Sequence, residues 1–194
     1  MVTTLDGVND FNLLGGNYSW SNGFIPNIFG APPNATDDFV VDLSLTGTNW
    51  FVEAFQLNGN SGNLDVTITD STIAGNGSTT FNAGIRAFTL QGDAGDTFNI
   101  SLDNLFTEVI TGFGGAEFNI SLGSNYVASV NLFDGDHTIS TGSGGVGQIR
   151  LGDGDHTITT GNGNIESIDL GDGNHVITIG DGGVDFIDFD DGSG

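Results

Sequence analysis

Hydrophobic positions in the last third of the chain recur at a fixed step. Ile120, Ile139, Ile158 and Ile177 are 19 residues apart, and His137, His156 and His175 keep that step two places earlier. Later in each unit stand Val127, Val146, Ile165 and Val184, then Val130, Ile149, Ile168 and Ile187, then Leu132, Leu151, Leu170 and Phe189. Polar residues alternate with these, and glycine turns such as Gly152-Asp153-Gly154-Asp155 separate the two apolar groups. Period-two alternation bounded by glycine turns predicts two β-strands per unit, each with one face inward and one outward. A tandem unit near 20 residues predicts a solenoid whose turns stack in parallel about 4.8 Å apart, so that each sequence column becomes a ladder in space. Nothing in the array has helical period or helix caps.

Towards the N-terminus the isoleucine column continues at Ile100 and Ile68, and residues 72–87 read as an insertion. Two places before these isoleucines stand Val66, Phe98 and Phe118, so the histidine column begins apolar and is expected to pack inward. Residues 1–50 do not repeat. They hold Trp20, Trp50, Phe11, Phe24, Phe29, Tyr18 and the three prolines, Pro26, Pro32 and Pro33. A solenoid end exposes backbone edges and a sliced core, so this aromatic-rich segment is predicted to be an irregular cap. The expected fold is all-β, a single right-handed parallel β-solenoid (β-roll or β-helix) over 51–194, with irregular turns over 51–129 and regular 19-residue turns over 130–194. Asp191-Gly192-Ser193-Gly194 falls inside a repeat, which suggests an edge on which another copy can dock.

Composition narrows the function. Thirty-three glycines suit a turn-rich β architecture, and Asp+Glu 25 against Lys+Arg 2 leaves a formal charge of -23. Such a chain repels phosphate backbones and anionic membranes, since nucleic-acid affinity comes largely from Lys and Arg displacing counterions. It attracts cations instead. The absence of cysteine excludes disulfides and thiolate metal sites. No segment approaches the roughly 18 apolar residues of a membrane span, and Met1 to Gly7 has neither the basic start nor the apolar run of a cleavable secretory signal.

The charge is concentrated in two columns. Asp134, Asp153, Asp172 and Asp191 form one, and Asp136, Asp155, Asn174 and Ser193 its neighbour. Carboxylates one rung apart repel, and Ca²⁺, with oxygen ligands at about 2.3–2.6 Å, fits between successive ones. Asp134, Asp136, Asp153, Asp155, Asp172, Asn174 and Asp191 are therefore the candidate metal residues. The alternative is that these side chains splay into solvent while glycine turns close on their own carbonyls. For the histidine column, imidazole suggests zinc, copper or nickel. Its apolar earlier members favour inward rings that hydrogen-bond the turn backbone, in which case acid below about pH 6.5 should charge and loosen the stack.

The unit Leu151-Gly152-Asp153-Gly154-Asp155-His156-Thr157-Ile158-Thr159 resembles the G-G-x-G-x-D-x-U-x nonapeptide of the RTX family, the haemolysin-type calcium-binding repeats. Gly152, Gly154 and Ile158 fall on its second-place glycine, fourth-place glycine and apolar position, and Thr160-Gly161-Asn162-Gly163-Asn164-Ile165 opens a second unit. The resemblance covers residues 130–194 and fades over 55–129. It implies calcium association, and export through a one-step bacterial secretion system with an uncleaved C-terminal signal, although none is recognisable before Gly194. The sixth-place aspartate that it makes the principal calcium ligand is His137, His156 and His175 in one series of loops and Val146, Ile165 and Val184 in the other.

The function expected on this basis is that of a secreted structural or surface protein, such as a matrix filament, adhesin or surface-layer component. Its expected partners are calcium ions, further copies at the solenoid ends, and a cell surface or polysaccharide. A different class is suggested by the outward rows Thr67/Thr69, Asn99/Ser101, Asn119/Ser121, Thr138/Ser140, Thr157/Thr159 and Val176/Thr178, which are similar to the hydroxyl ladders of ice-binding solenoids; threonine is also simply favoured on exposed strands. A polysaccharide-modifying enzyme is the least expected. The only basic residues, Arg86 and Arg150, stand several turns apart, and the histidines form a ladder rather than a singular site.

Overall fold

In the computed structural model the chain is all-β, with no helix among the described residues. The structure describes residues 2–4, 11–13, 16–30, 39–58, 63–70, 83–103 and 106–189, with side chains placed for residue 56 and over 85–102 and 106–189. Strands β1 (Val2–Thr4), β2 (Phe11–Leu13), β3 (Gly16–Gly30) and β4 (Phe39–Asn58) precede β5 (Asn63–Asp70) and β6 (Ala83–Gln91). Two-strand turns then follow: β7 (Thr97–Asp103) and β8 (Thr107–Phe113), β9 (Glu117–Leu122) and β10 (Val127–Leu132), β11 (Thr138–Ser140) and β12 (Val146–Leu151), β13 (Thr157–Thr159) and β14 (Ile165–Leu170), β15 (Val176–Thr178) and β16 (Val184–Phe189).

The pairings are parallel. The odd-numbered strands from β5 to β15 form one ladder and the even-numbered strands from β6 to β16 the other. Both join at β4, whose residues 39–45 pair with β5 and residues 50–58 with β6. The result is a β-solenoid in the register the sequence columns predict. Ile120, Ile139, Ile158 and Ile177 are direct partners along one ladder, and Leu132, Leu151 and Leu170 along the other.

The core lies between the two ladders. On the first strand of each turn, Ile120, Ile139 and Ile158 point inward; on the second, Val130, Ile149 and Ile168 meet them with Leu132, Leu151 and Leu170. Full burial of an Ile, Leu or Phe side chain stabilises by about 1.5–3 kcal/mol, and the parallel register repeats that contribution at each rung. Val127 and Val130 are both buried although three residues apart. The ladder allows it because Ala128 and Gly147 are skipped in the register between β10 and β12.

Two details differ from the sequence columns. Val66, not Ile68, is the partner of Ile100, and Leu64, not Val66, that of Phe98; correspondingly, Asp65/Thr67 rather than Thr67/Thr69 continue the Asn99/Ser101 row. A slip of two residues preserves the period-two pattern of a strand, so alternation alone does not detect it. Of the expected insertion, residues 72–82 lie outside the described residues, while 83–87 belong to β6, which pairs with both β4 and β8. Of the expected cap, the side chains over 1–50 lie outside the described residues, and its strands β3 and β4 pair in parallel.

Candidate functional site

Each regular turn passes from its second strand into its successor through a corner such as Gly152–His156, where the chain cannot keep strand geometry. Gly154 and Gly173 adopt φ of +145° and +149°, and a Cβ there would overlap the carbonyl oxygen of Gly135 or Gly154 one turn away. Only glycine fits both conditions. The corner must still satisfy its backbone donors.

It does so by alternating two kinds of acceptor. Gly152 N–H donates to the Leu132 carbonyl at 2.9 Å and Gly154 N–H to the Asp172 carbonyl at 2.8 Å. In alternation with these, Asp153 N–H donates to Asp134 Oδ1 at 3.1 Å and Asp155 N–H to Asp136 Oδ1 at 2.8 Å. One turn on, Asp153 Oδ1 accepts from Asp172 N–H at 2.9 Å, and Asp155 Oδ1 accepts from both nitrogens of Asn174, at 2.8 and 3.1 Å. The Asn174 N–H groups hold the Asp155 carboxyl below the ordinary carboxylate range. The acidic columns are thus hydrogen-bonded ladders along the solenoid. They neither splay freely into solvent nor converge on a common point.

The histidines close the corner from inside. The ring of His137 stacks on that of His156 with centroids 5.1 Å apart and 12° between planes, and His156 on His175 at 5.1 Å and 10°. Phe118 continues the column at 5.3 Å, and Phe98 behind it. His137, His156 and His175 place Nε2 at 2.7, 2.9 and 2.9 Å from the carbonyls of Phe133, Gly152 and Gly171, each four residues back. On the other side of the ring, Nδ1 of His137 accepts the Phe118 N–H at 3.4 Å and Nδ1 of His156 the His137 N–H at 3.3 Å. A backbone N–H can only donate and a carbonyl only accept, so His137 and His156 are assigned as neutral Nε2–H tautomers. His175, on the outermost described turn, keeps its Nε2 bond while its buried Nδ1 has no partner. Burial, the largest cause, holds His137 and His156 below the ordinary histidine value; the carbonyl bonds and nearby Asp136 and Asp155 oppose it.

With both ring nitrogens engaged, His137 and His156 offer no lone pair to a transition metal. For calcium, which takes six to eight oxygens, the donor set also fits poorly. One oxygen of Asp134, Asp136, Asp153 and Asp155 is committed to the next turn, and among the described residues no group of three or more His, Cys, Asp or Glu could hold a metal ion. Asp172 and Asn174 extend the same ladders, and Asp191 lies outside the described residues.

A second polar ladder escaped sequence inspection. At the opposite corner, buried Thr141 and Thr160 accept the N–H groups of Gly161 and Gly180 through Oγ1, at 3.1 and 2.9 Å. The 19-residue spacing of these threonines was visible, but each follows an outward Ser or Thr, and alternation alone does not tell a strand residue from a corner one.

The outer faces carry separate side-chain pairs between turns, Asn119 Nδ2 donating to Asn99 Oδ1 at 3.0 Å and Gln148 Nε2 to Asp169 Oδ2 at 2.8 Å among them. Thr138, Ser140, Thr157 and Thr159 are exposed in two straight rows, broken at the third rung by Val176. Arg86 pairs with Glu108 and Arg150 with Asp169, both at 3.4 Å, and β8 and β10 separate their strands. Beside Arg150, two open hollows of about 540 and 240 Å³ adjoin; the larger is walled by Phe113 and Phe133, exposed rings stacked 5.0 Å apart. Comparison of the chain with protein-family models, curated proteins and solved structures gives no match in any of the three.

Proposed function

We propose that the chain is an extracellular structural solenoid, a scaffold or surface component whose task is to persist as a stiff acidic rod. The observation that carries this is the use to which its polar residues are put. The aspartates and histidines that would be candidates for chemistry recur along the regular turns, and the side chains of Asp134, Asp136, Asp153, Asp155, His137 and His156 each join their own turn to a neighbour. An active site is singular, whereas a ladder repeats one role. The charge of -23 supports solubility and repulsion from polyanions. Export rests on the RTX resemblance of residues 130–194.

Association would run through the last described turn. Its core residues Ile177, Val184 and Ile187 are only partly covered, and Val176, Ile179, Phe186 and Phe189 are exposed. β15 and β16 each have one neighbour among the described residues, so another rung in the same register would complete both ladders. Contact with a polysaccharide would use the Phe113/Phe133 pair and its hollow. Light scattering and negative-stain microscopy over a concentration series test the proposal: rods that lengthen end to end support it, and a monodisperse monomer at the highest concentration contradicts the assembly.

A second reading is favoured by one observation, the exposed Thr138/Ser140 and Thr157/Thr159 rows one rung apart. A flat lattice of hydroxyls can order water, and ice shaping or thermal hysteresis, lost when Thr157 or Thr159 is replaced by a bulky residue, would establish ice binding in place of a purely structural role.

A further inference from the structure

The resemblance to RTX repeats fails at the sixth place of both units of each turn, the place that the resemblance makes a calcium ligand, and in one unit the residue found there is histidine. Its surroundings in this chain explain the change. The sixth-place side chain lies between two backbone groups: a carbonyl four residues back, from Phe133, Gly152 or Gly171, and an N–H one turn earlier, from Phe118 or His137. A carboxylate can accept the N–H but has nothing to give the carbonyl. Two oxygen acceptors then face each other, and a cation between them resolves the conflict. An imidazole carries a donor and an acceptor on one rigid ring, so it serves both groups at once and leaves no acceptor pair for a cation to bridge. Stacking at 5.1 Å adds contact along the column, and burial favours the neutral form of His137 and His156.

We propose that His137, His156 and His175 stand in for calcium: the Nε2–H of each caps the corner carbonyl that a metal would otherwise neutralise, so these turns close without metal. The proposal concerns how the turn is closed and is independent of the structural role above. Its corollary is that the corner is a calcium site one substitution away. The carbonyl remains, the glycine conformations remain, and only the N–H has to be exchanged for a carboxylate.

The test compares the wild-type chain with His156→Asp and with the triple variant His137→Asp/His156→Asp/His175→Asp. Each is unfolded thermally, followed by circular dichroism, in excess chelator and in millimolar CaCl₂, with MgCl₂ as the control ion. The wild-type midpoint is expected to be the same in chelator and calcium. The Asp variants should unfold earlier in chelator and recover with calcium by at least about 5 °C, the size expected when a ligand at roughly 100 times its Kd binds only the folded state. The single variant keeps intact turns on either side, so it reports even where the triple variant does not fold. A wild-type midpoint that rises with calcium by a similar amount overturns the proposal. So does a His156→Asp variant that is destabilised and unmoved by calcium.

Discussion

His156 accepts the backbone N–H of His137 on Nδ1 at 3.3 Å while its ring lies 5.1 Å above the His137 ring, so one side chain supplies both a hydrogen bond and a stacking contact between consecutive turns. Its Nε2 simultaneously caps the Gly152 carbonyl at 2.9 Å. Three functions in one buried ring make a graded prediction. His156→Phe keeps the stack, as Phe118 does beneath His137, but leaves the His137 N–H and the Gly152 carbonyl without partners. It should cost about 1–3 kcal/mol. His156→Ala also opens a cavity and should cost more. Urea unfolding of the two variants gives the order directly.

Stability should depend on pH through the same rings. The folded-state pKa values of His137 and His156 lie below the ordinary value of about 6.5, so the unfolded chain binds more protons in that range. Their contribution is complete above about pH 6.5 and falls as the pH drops below it. Asp155, also lowered, adds a further loss only as the pH falls below the ordinary carboxylate value of 3.8. Thermal midpoints between pH 8 and 5 should therefore decline towards the acid end, and a flat profile would contradict burial of neutral rings.

Asp153 distinguishes a hydrogen-bonded ladder from an ionic one. Its Oδ1 accepts the Asp172 N–H, and an asparagine carbonyl can do the same. Asp153→Asn should be neutral or slightly stabilising because it relieves repulsion, whereas Asp153→Ala should cost about 1 kcal/mol. Chemical denaturation of both variants separates them; equal losses would show that charge, not the acceptor, matters.

Thr107 occupies the buried column that continues as Val127 and Val146, and its Oγ1 is buried with no partner. Thr107→Val removes an unsatisfied hydroxyl at nearly constant shape. It should raise stability by about 1 kcal/mol, read as a higher urea midpoint with an unchanged slope.

The fold was largely legible in the sequence because a solenoid writes its contacts as a period. Ile139 and Ile158 pair because they are 19 residues apart, and the inward and outward faces follow from alternation. Where the period lapses, legibility lapses with it, as the two-residue slip at Val66 shows. The inward histidine stack was also legible, from the Phe98 and Phe118 that precede it. The partners of Asp134 and Asp136 were not. A carboxylate facing a cation, a carboxylate facing water and a carboxylate accepting the next turn's N–H share one sequence pattern, and only the corner geometry of Gly154 and its neighbours selects the last.

The central claim is that side-chain donors and acceptors, with the histidines at their centre, hold consecutive turns together. Long-range ¹⁵N–¹H NMR of the imidazole rings at about pH 8, well above the ordinary histidine pKa, tests it most directly, because the tautomer of each ring reports which nitrogen carries the proton. The account predicts that His137 and His156 are locked as Nε2–H tautomers, with Nδ1 shifts of a hydrogen-bond acceptor. Nδ1–H tautomers, or rings averaging between the two forms as in an unfolded chain, would contradict it.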